Sequence, residues 1–237
     1  MEFRLSSGRR VNLTYPTLGQ VRQLLLEDEL TNETINKFVE ASIGEPIDDF
    51  YLIDRDAAYW MLIAMLCRGK LTMRAICSAC KEEMVFELDF TEVAIPEVDE
   101  LEAELELPVS KKKVVLVQPK VKDVVSLADG TDESLIKIYL KSDIGDIDNL
   151  PYIDYLTILA KILSMKVEVE HIFDVVCSKG HTNKVRVGTF NLKTPYTLKT
   201  IISDFWGLVK RGVSFQDFLE MTDKEIEMLK DLYRDGR

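Results

Sequence analysis

Long apolar runs are missing from this chain. The longest, AAYWMLIAMLC at 57–67, is too short to span a bilayer and is bounded by Asp56 and Arg68, so it reads as a buried helix. The opening residues, MEFRLSSGRR, hold no apolar core of the kind an export signal needs, and none is expected. Positive charge is in deficit: 30 Lys and Arg stand against 41 Asp and Glu, for a net charge of −11. Such a surface repels a polyanion, which argues against a nucleic-acid partner. Four cysteines in 237 residues are too few for a disulfide scaffold and suit a reducing cytosol.

Catalytic signatures are missing too. There is no phosphate-binding glycine loop, no G-x-G-x-x-G after a strand, no H-E-x-x-H and no G-x-S-x-G. An enzyme is therefore not expected. Only two histidines exist. His171 shares a strand face with Val167, Val169 and Phe173 and reads as a core histidine. Cys67 lies on an apolar helix and reads as a small hydrophobe. The DIGDID run at 143–148 lacks the downstream bidentate glutamate of a calcium loop.

What the chain does have is two short polar turns, each set between strand-like runs. Cys77-Ser78-Ala79-Cys80 follows KLTMRAI and precedes MVFELDF; Cys177-Ser178-Lys179-Gly180-His181 follows VEVEHIFDVV and precedes KVRVGTF. Two hairpin tips that each supply two ligands are how a zinc ribbon is built. Cys77, Cys80, Cys177 and His181 would complete a tetrahedron with no carboxylate and no open position, a closed structural site for one zinc per chain. Two readings compete with it: unrelated polar residues at turns, or a redox pair at Cys77 and Cys80. The redox reading is the weaker, because no good helix begins at Cys80. Lys81, Lys179, Lys184 and Arg186 flank the turns and could offset the negative charge of a tris-thiolate zinc.

The chain also repeats itself. LELPVSKKKVVLVQPKVKDVVSLA (105–128) echoes FRLSSGRRVNLTYPTLGQVRQLL (3–25), with Leu5 on Leu107, Pro16 on Pro119, Val21 on Val124 and Leu24 on Leu127. In each half a helix follows, then the apolar helix, at Asp54 to Cys67 and again at 152–163, then strand, turn and strand. Thr31 caps the second helix of the first half and Gly44 ends it. The expected fold is α+β: two related halves, 1–90 and 105–190, joined by an acidic connector at 91–104 and sharing one zinc-ribbon-like site. Residues 191–237 add a helical extension with no counterpart in the first half.

In that extension Leu198, Ile201, Ile202, Phe205, Trp206 and Val209 fall on one helical face. Ser214 can cap the next helix, and Thr222 with Glu225 makes a capping box for the last. The apolar residues either pack on the chain's own core or dock on a partner. In the second case Phe205, Trp206, Phe215 and Phe218 would be the binding residues.

Leu5-Ser6-Ser7-Gly8, Pro16-Thr17-Leu18, the aspartate-led helix from Asp54 to Gly69, the Cys77–Cys80 turn and the Phe86–Phe90 strand together resemble one family: the baseplate hub proteins of contractile-tailed phages of the T-even type. The resemblance covers most of 1–90 and, more loosely, 105–190. Members often carry a second C-x-x-C where this chain has Cys177 and His181, and its Leu5–Gly8 turn lacks the family's proline and lysine. The resemblance implies a non-enzymatic component of the tail baseplate, assembled in the host cytoplasm, binding other tail proteins, with multiple copies in one baseplate. The alternatives are a transient assembly chaperone absent from the virion and a zinc-ribbon regulator.

Overall fold

The computed structural model describes residues 2–26, 30–126, 131–142, 144–145, 147–192, 205, 208 and 213–234. The fold is α+β: among the described residues, helices stand with four separate two-stranded antiparallel sheets. Among the described residues no helix is long and apolar enough to cross a membrane.

The chain opens with a hairpin, β1 (Glu2–Arg4) and β2 (Arg10–Asn12). Three helices follow: α1 (Leu18–Leu26), α2 (Asn32–Ile43) and α3 (Leu52–Leu66). The caps are local and legible. Thr17 and Gln20 form a reciprocal box at the start of α1. The Thr31 hydroxyl accepts from the Thr34 N–H, and Gly44, at φ 82°, closes α2 in the left-handed conformation. β3 (Lys70–Ile76) and β4 (Glu83–Asp89) make the first knuckle hairpin.

The second half begins earlier than its composition suggests. β5 (Glu102–Glu106) takes in the end of the acidic stretch, pairing with β6 (Lys113–Val117). Alternation explains it: Glu102, Glu104 and Glu106 face solvent while Ala103 and Leu105 turn inward. The echo of α1 is only a 3-10 turn at Val121–Ser126; adjacent β-branched valines disfavour an α-helix there. Then come α4 (Asp132–Tyr139), α5 (Tyr152–Met165) and the second knuckle hairpin, β7 (Glu170–Val176) with β8 (Thr182–Gly188). Two short helices, α6 (Phe215–Glu220) and α7 (Asp223–Arg234), close the described chain.

The halves repeat contacts as well as elements. Leu5 and Leu107 are both buried at their hairpin turns. Glu33 pairs with Lys37 on α2 as Glu133 pairs with Lys137 on α4. The Tyr15 hydroxyl donates to the Met65 carbonyl as the Gln118 amide donates to the Met165 carbonyl.

Packing then departs from chain order. One core gathers α1, α2 and α3 with Leu71 and Leu88, and it also takes Val169 and Val187 from the second half and Leu192 just beyond it. A second core gathers β5, β6, α4 and α5 with Leu107, Ile144 and Ile147 from the loops between them. The second knuckle hairpin therefore rests on the first core, not on its own half. α3 is the reason. It is apolar nearly all round, and its two aromatic tips are satisfied from the far end of the chain. Tyr59 donates to the Leu192 carbonyl at 2.7 Å, and the Trp60 indole donates to Thr189 at 3.2 Å. The two halves of the chain are joined where the Val121 N–H donates to the Phe50 carbonyl and the Leu52 N–H to the Pro119 carbonyl, with Val121 buried in the first core.

The described residues of the extension pack on the first core. Phe218 is fully buried there, its ring 5.3 Å from that of Phe205, and Leu208 and Ile226 are buried beside it. Phe218 is thus a core residue and not an exposed docking residue, because α6 lies against α1: a Cβ on Gly19 would come within 3.0 Å of the Leu219 carbonyl oxygen. Phe205 is half-buried against the same core. Trp206 and the Phe215 side chain lie outside the described residues, as does most of the helix expected at 197–211.

Candidate metal centre

The two knuckles meet tip to tip. Each tip is a tight turn closed by backbone. The Cys77 N–H donates to the Glu82 carbonyl and the Lys81 N–H to the Cys77 carbonyl; the Cys177 N–H donates to His181 and the Gly180 N–H to Cys177. Both turns need one left-handed residue, Lys81 at φ 62° and Gly180 at φ 82°. The glycine adopts it without steric cost; the lysine does not.

The four donors converge. Cys77 Sγ, Cys80 Sγ, Cys177 Sγ and one nitrogen of His181 all lie within 4.8 Å of one another. Cys80 and Cys177 Sγ are 3.8 Å apart, Cys77 Sγ is 3.9 Å from His181 Nδ1, and Cys177 Sγ is 3.4 Å from that nitrogen. A tetrahedral ion with metal–sulfur bonds of about 2.3 Å needs edges of about 3.8 Å. The cluster could hold one metal ion, and the ligand set is the one read from the sequence. All four cysteines are free thiols.

Beneath the ligands, Met84, Val175, Phe86, Phe173 and Val185 form a small apolar layer, with the Phe86 and Phe173 rings 5.3 Å apart. Cys77 is fully buried and His181 is exposed, so the cluster opens to solvent on the histidine side. The Cys80 N–H and the Asn183 amide, opposed by burial, bring the Cys77 thiol down to about 6. The Glu82 N–H favours the thiolate of Cys80, but burial and the sulfurs of Cys77 and Cys177 outweigh it and hold that thiol above its ordinary value. Burial pushes Cys67, well away from the cluster, up to about 12, in keeping with its reading as an inert hydrophobe.

Two residues that sequence reasoning missed, Asn183 and Glu82, tie the tips together. Asn183, on β8, is buried. Its oxygen accepts from the N–H and hydroxyl of Ser78, both at 2.9 Å. Its amide nitrogen donates to Cys77 Sγ at 3.4 Å and to the His181 carbonyl at 3.1 Å. Glu82 crosses the other way, accepting from the Ser178 hydroxyl and pairing with Lys179 at 2.8 Å. Asn183 had a findable signal: strand alternation puts it on the inward face with Val185 and Val187, where a polar side chain needs a partner.

Three of the four flanking cations are committed to carboxylates. Lys179 pairs with Glu82, Lys184 with Asp174 and Arg186 with Glu170. His171 is half-buried, its ring 4.4 Å from that of Phe173. Comparison with family models, with curated proteins and with solved structures gives no match for this chain.

Proposed function

We infer that Cys77, Cys80, Cys177 and His181 bind one zinc ion as a structural staple. The observation that carries this is the convergence of three sulfurs and an imidazole from hairpins 97 positions apart in the chain. A redox pair would need only Cys77 and Cys80 and would leave the second tip unexplained. Thiolate and imidazole donors without a carboxylate favour zinc among the common cations. With four protein ligands the ion has no position for a substrate, so its role is to hold β3–β4 against β7–β8. Binding would supply on the order of 10 kcal/mol of docking energy.

The wider role we propose is that of a non-enzymatic structural or assembly component of a contractile phage-tail baseplate, hub or adjoining wedge, binding other tail proteins. This rests on the sequence features shared with the hub proteins. An acidic chain with a closed metal site and no catalytic motif fits it. The alternative is an assembly chaperone that leaves before the particle is complete.

Elemental analysis tests the staple. About one zinc per chain is expected, lost together with thermal stability in Cys77→Ser and in His181→Ala. A metal-free wild type as stable as the variants would remove it. The wider role is tested by co-expression with baseplate proteins: a complex that persists into finished particles supports a structural part, and one confined to intermediates supports the chaperone.

A further inference from the structure

α5 carries apolar side chains that nothing among the described residues covers. Ile153 is 59 %, Leu156 42 % and Leu163 57 % exposed, with Ala160 exposed between them and Tyr152 73 % exposed at the helix start. Val109, 52 % exposed, joins the patch, because its N–H donates to Asp154 in the first turn of α5. Ile158, Ile162 and Met165 fill the opposite face, inside the second core. A helix that is apolar on both faces is ordinarily buried on both.

The internal repeat shows what kind of surface this is. Asp54 and Asp154 align the two apolar helices, so Ile153, Leu156, Ala160 and Leu163 stand where α3 has Ile53, Asp56, Trp60 and Ile63. On α3, Ile53, Trp60 and Ile63 are buried. Part of that cover comes from the second knuckle hairpin, through Thr189 on the Trp60 indole. The stripe on α5 is the same packing surface left open.

Its spacing says what fits it. Positions 153, 156, 160 and 163 alternate steps of three and four, the seam of a helix pair. They also read the same in both directions about Ile158. Two antiparallel copies of α5 would set Ile153 against Leu163 and Leu156 against the small Ala160, twice each, large against small at the centre. No charged residue stands on the stripe, so the net charge of the chain is not concentrated at the contact. The exposed parts of Val109, Tyr152, Ile153, Leu156 and Leu163 amount to on the order of 500 Å² per copy. Two copies would bury about 1,000 Å², the lower bound for a specific interface.

We propose that α5 is a homodimer interface, closed by a second copy of this chain across a two-fold axis near Ile158. The contact is isologous: each side chain of the stripe meets the stripe of the other copy. At that size the contact is at the weak end of specific interfaces, so association is sought at micromolar and higher concentrations.

Light scattering on a sizing column, with the full metal-loaded chain at about 1–200 µM, tests this. The mass should rise with concentration from 27.1 kDa to twice that value. Leu156→Glu should weaken association at least about tenfold, with an unchanged melting curve at dilutions where the chain is monomeric, because the residue is solvent-facing there. Combining it with Ala160→Lys should recover part of the dimer, since an antiparallel axis sets the two new charges opposite each other. A chain that stays monomeric throughout, or a dimer indifferent to Leu156→Glu, overturns the proposal; the monomer would leave the face to a different protein.

Discussion

Asp54 and Asp154 do the same work in different halves of the molecule. Each sits in the first turn of an apolar helix, fully buried, and accepts two hydrogen bonds from the turn of the preceding hairpin. Asp54 takes the Ser7 N–H and hydroxyl at 2.8 and 2.6 Å; Asp154 takes the N–H groups of Val109 and Ser110, both at 2.8 Å. The carboxylates differ in charge preference. Burial outweighs the Ser7 bonds and raises Asp54, whereas at Asp154 the Val109 and Ser110 bonds outweigh burial and lower it.

That difference has a pH signature. The lowered Asp154 contributes stability that is fully present above its unfolded value of about 3.9 and lost as the pH falls through the folded one. The raised Asp54 has the opposite sign: its contribution is full below the unfolded value and declines as the pH rises through the folded one. In chelator, so that metal loss does not intrude, Asp154→Asn should lower the melting temperature by several degrees at pH 7. The loss should shrink toward pH 3. Equal losses for the two asparagine variants at both pH values would contradict this.

Asn183 should govern how firmly the metal is held. Asn183→Ala is expected to keep one metal per chain but to weaken its retention about 10–100-fold, the usual cost of losing an outer hydrogen bond to a ligand. Competition with a chromophoric chelator reads this directly. Unchanged competition would make Asn183 a packing residue only.

Metal removal should be local in effect. The ligand cluster has its own small buried group, Cys77, Met84, Val175 and Cys177, which joins the first core only through the half-buried Phe86, Phe173 and Val185. Chelation should therefore speed amide exchange at 74–84 and 174–184 while α2, α3 and α5 stay protected. Global loss of protection would mean that the staple holds the whole fold.

Arg55 is a buried cation with every visible bond spoken for. Its side chain is 1 % exposed, bonded to Asn32, Asn36 and Asp56. Arg55→Ala would take this donor from Asn32 and Asn36 and leave the Asp56 carboxylate without its cation, and should cost about 3–5 kcal/mol in a denaturant titration. Adding Asp56→Leu should recover part of that loss.

Phe218→Ala decides what the extension is for. Its ring lies in the first core, so truncation should destabilise the isolated chain by about 3–5 kcal/mol. A neutral result would return the extension to the role of a partner arm.

Local chemistry was the most legible part of the sequence. Thr31, Ser214 and the Thr222–Glu225 box cap the helices that their spacing predicts. The four ligand residues could be named because cysteine and histidine at hairpin tips are few. What could not be read was long-range. Strand periodicity shows which face of β7–β8 is apolar, not which core that face will join. The α5 stripe likewise looks in sequence like any buried helix, since exposure depends on what arrives to cover it. β5 was hidden for a simpler reason: glutamates on its solvent side made a paired strand resemble a linker.

The seating of the second hairpin on α3 also has a consequence for synthesis. The Tyr59 hydroxyl bonds a carbonyl 133 positions further on. At about 5–20 residues per second, a ribosome finishes α3 on the order of ten seconds before it makes Leu192. Through that interval the indole of Trp60 and the ring of Tyr59 lack their final partners on the nascent chain. The apolar helix that anchors the mature molecule is thus its most vulnerable segment during translation, and the last stretch of hairpin to leave the ribosome is what ends the exposure.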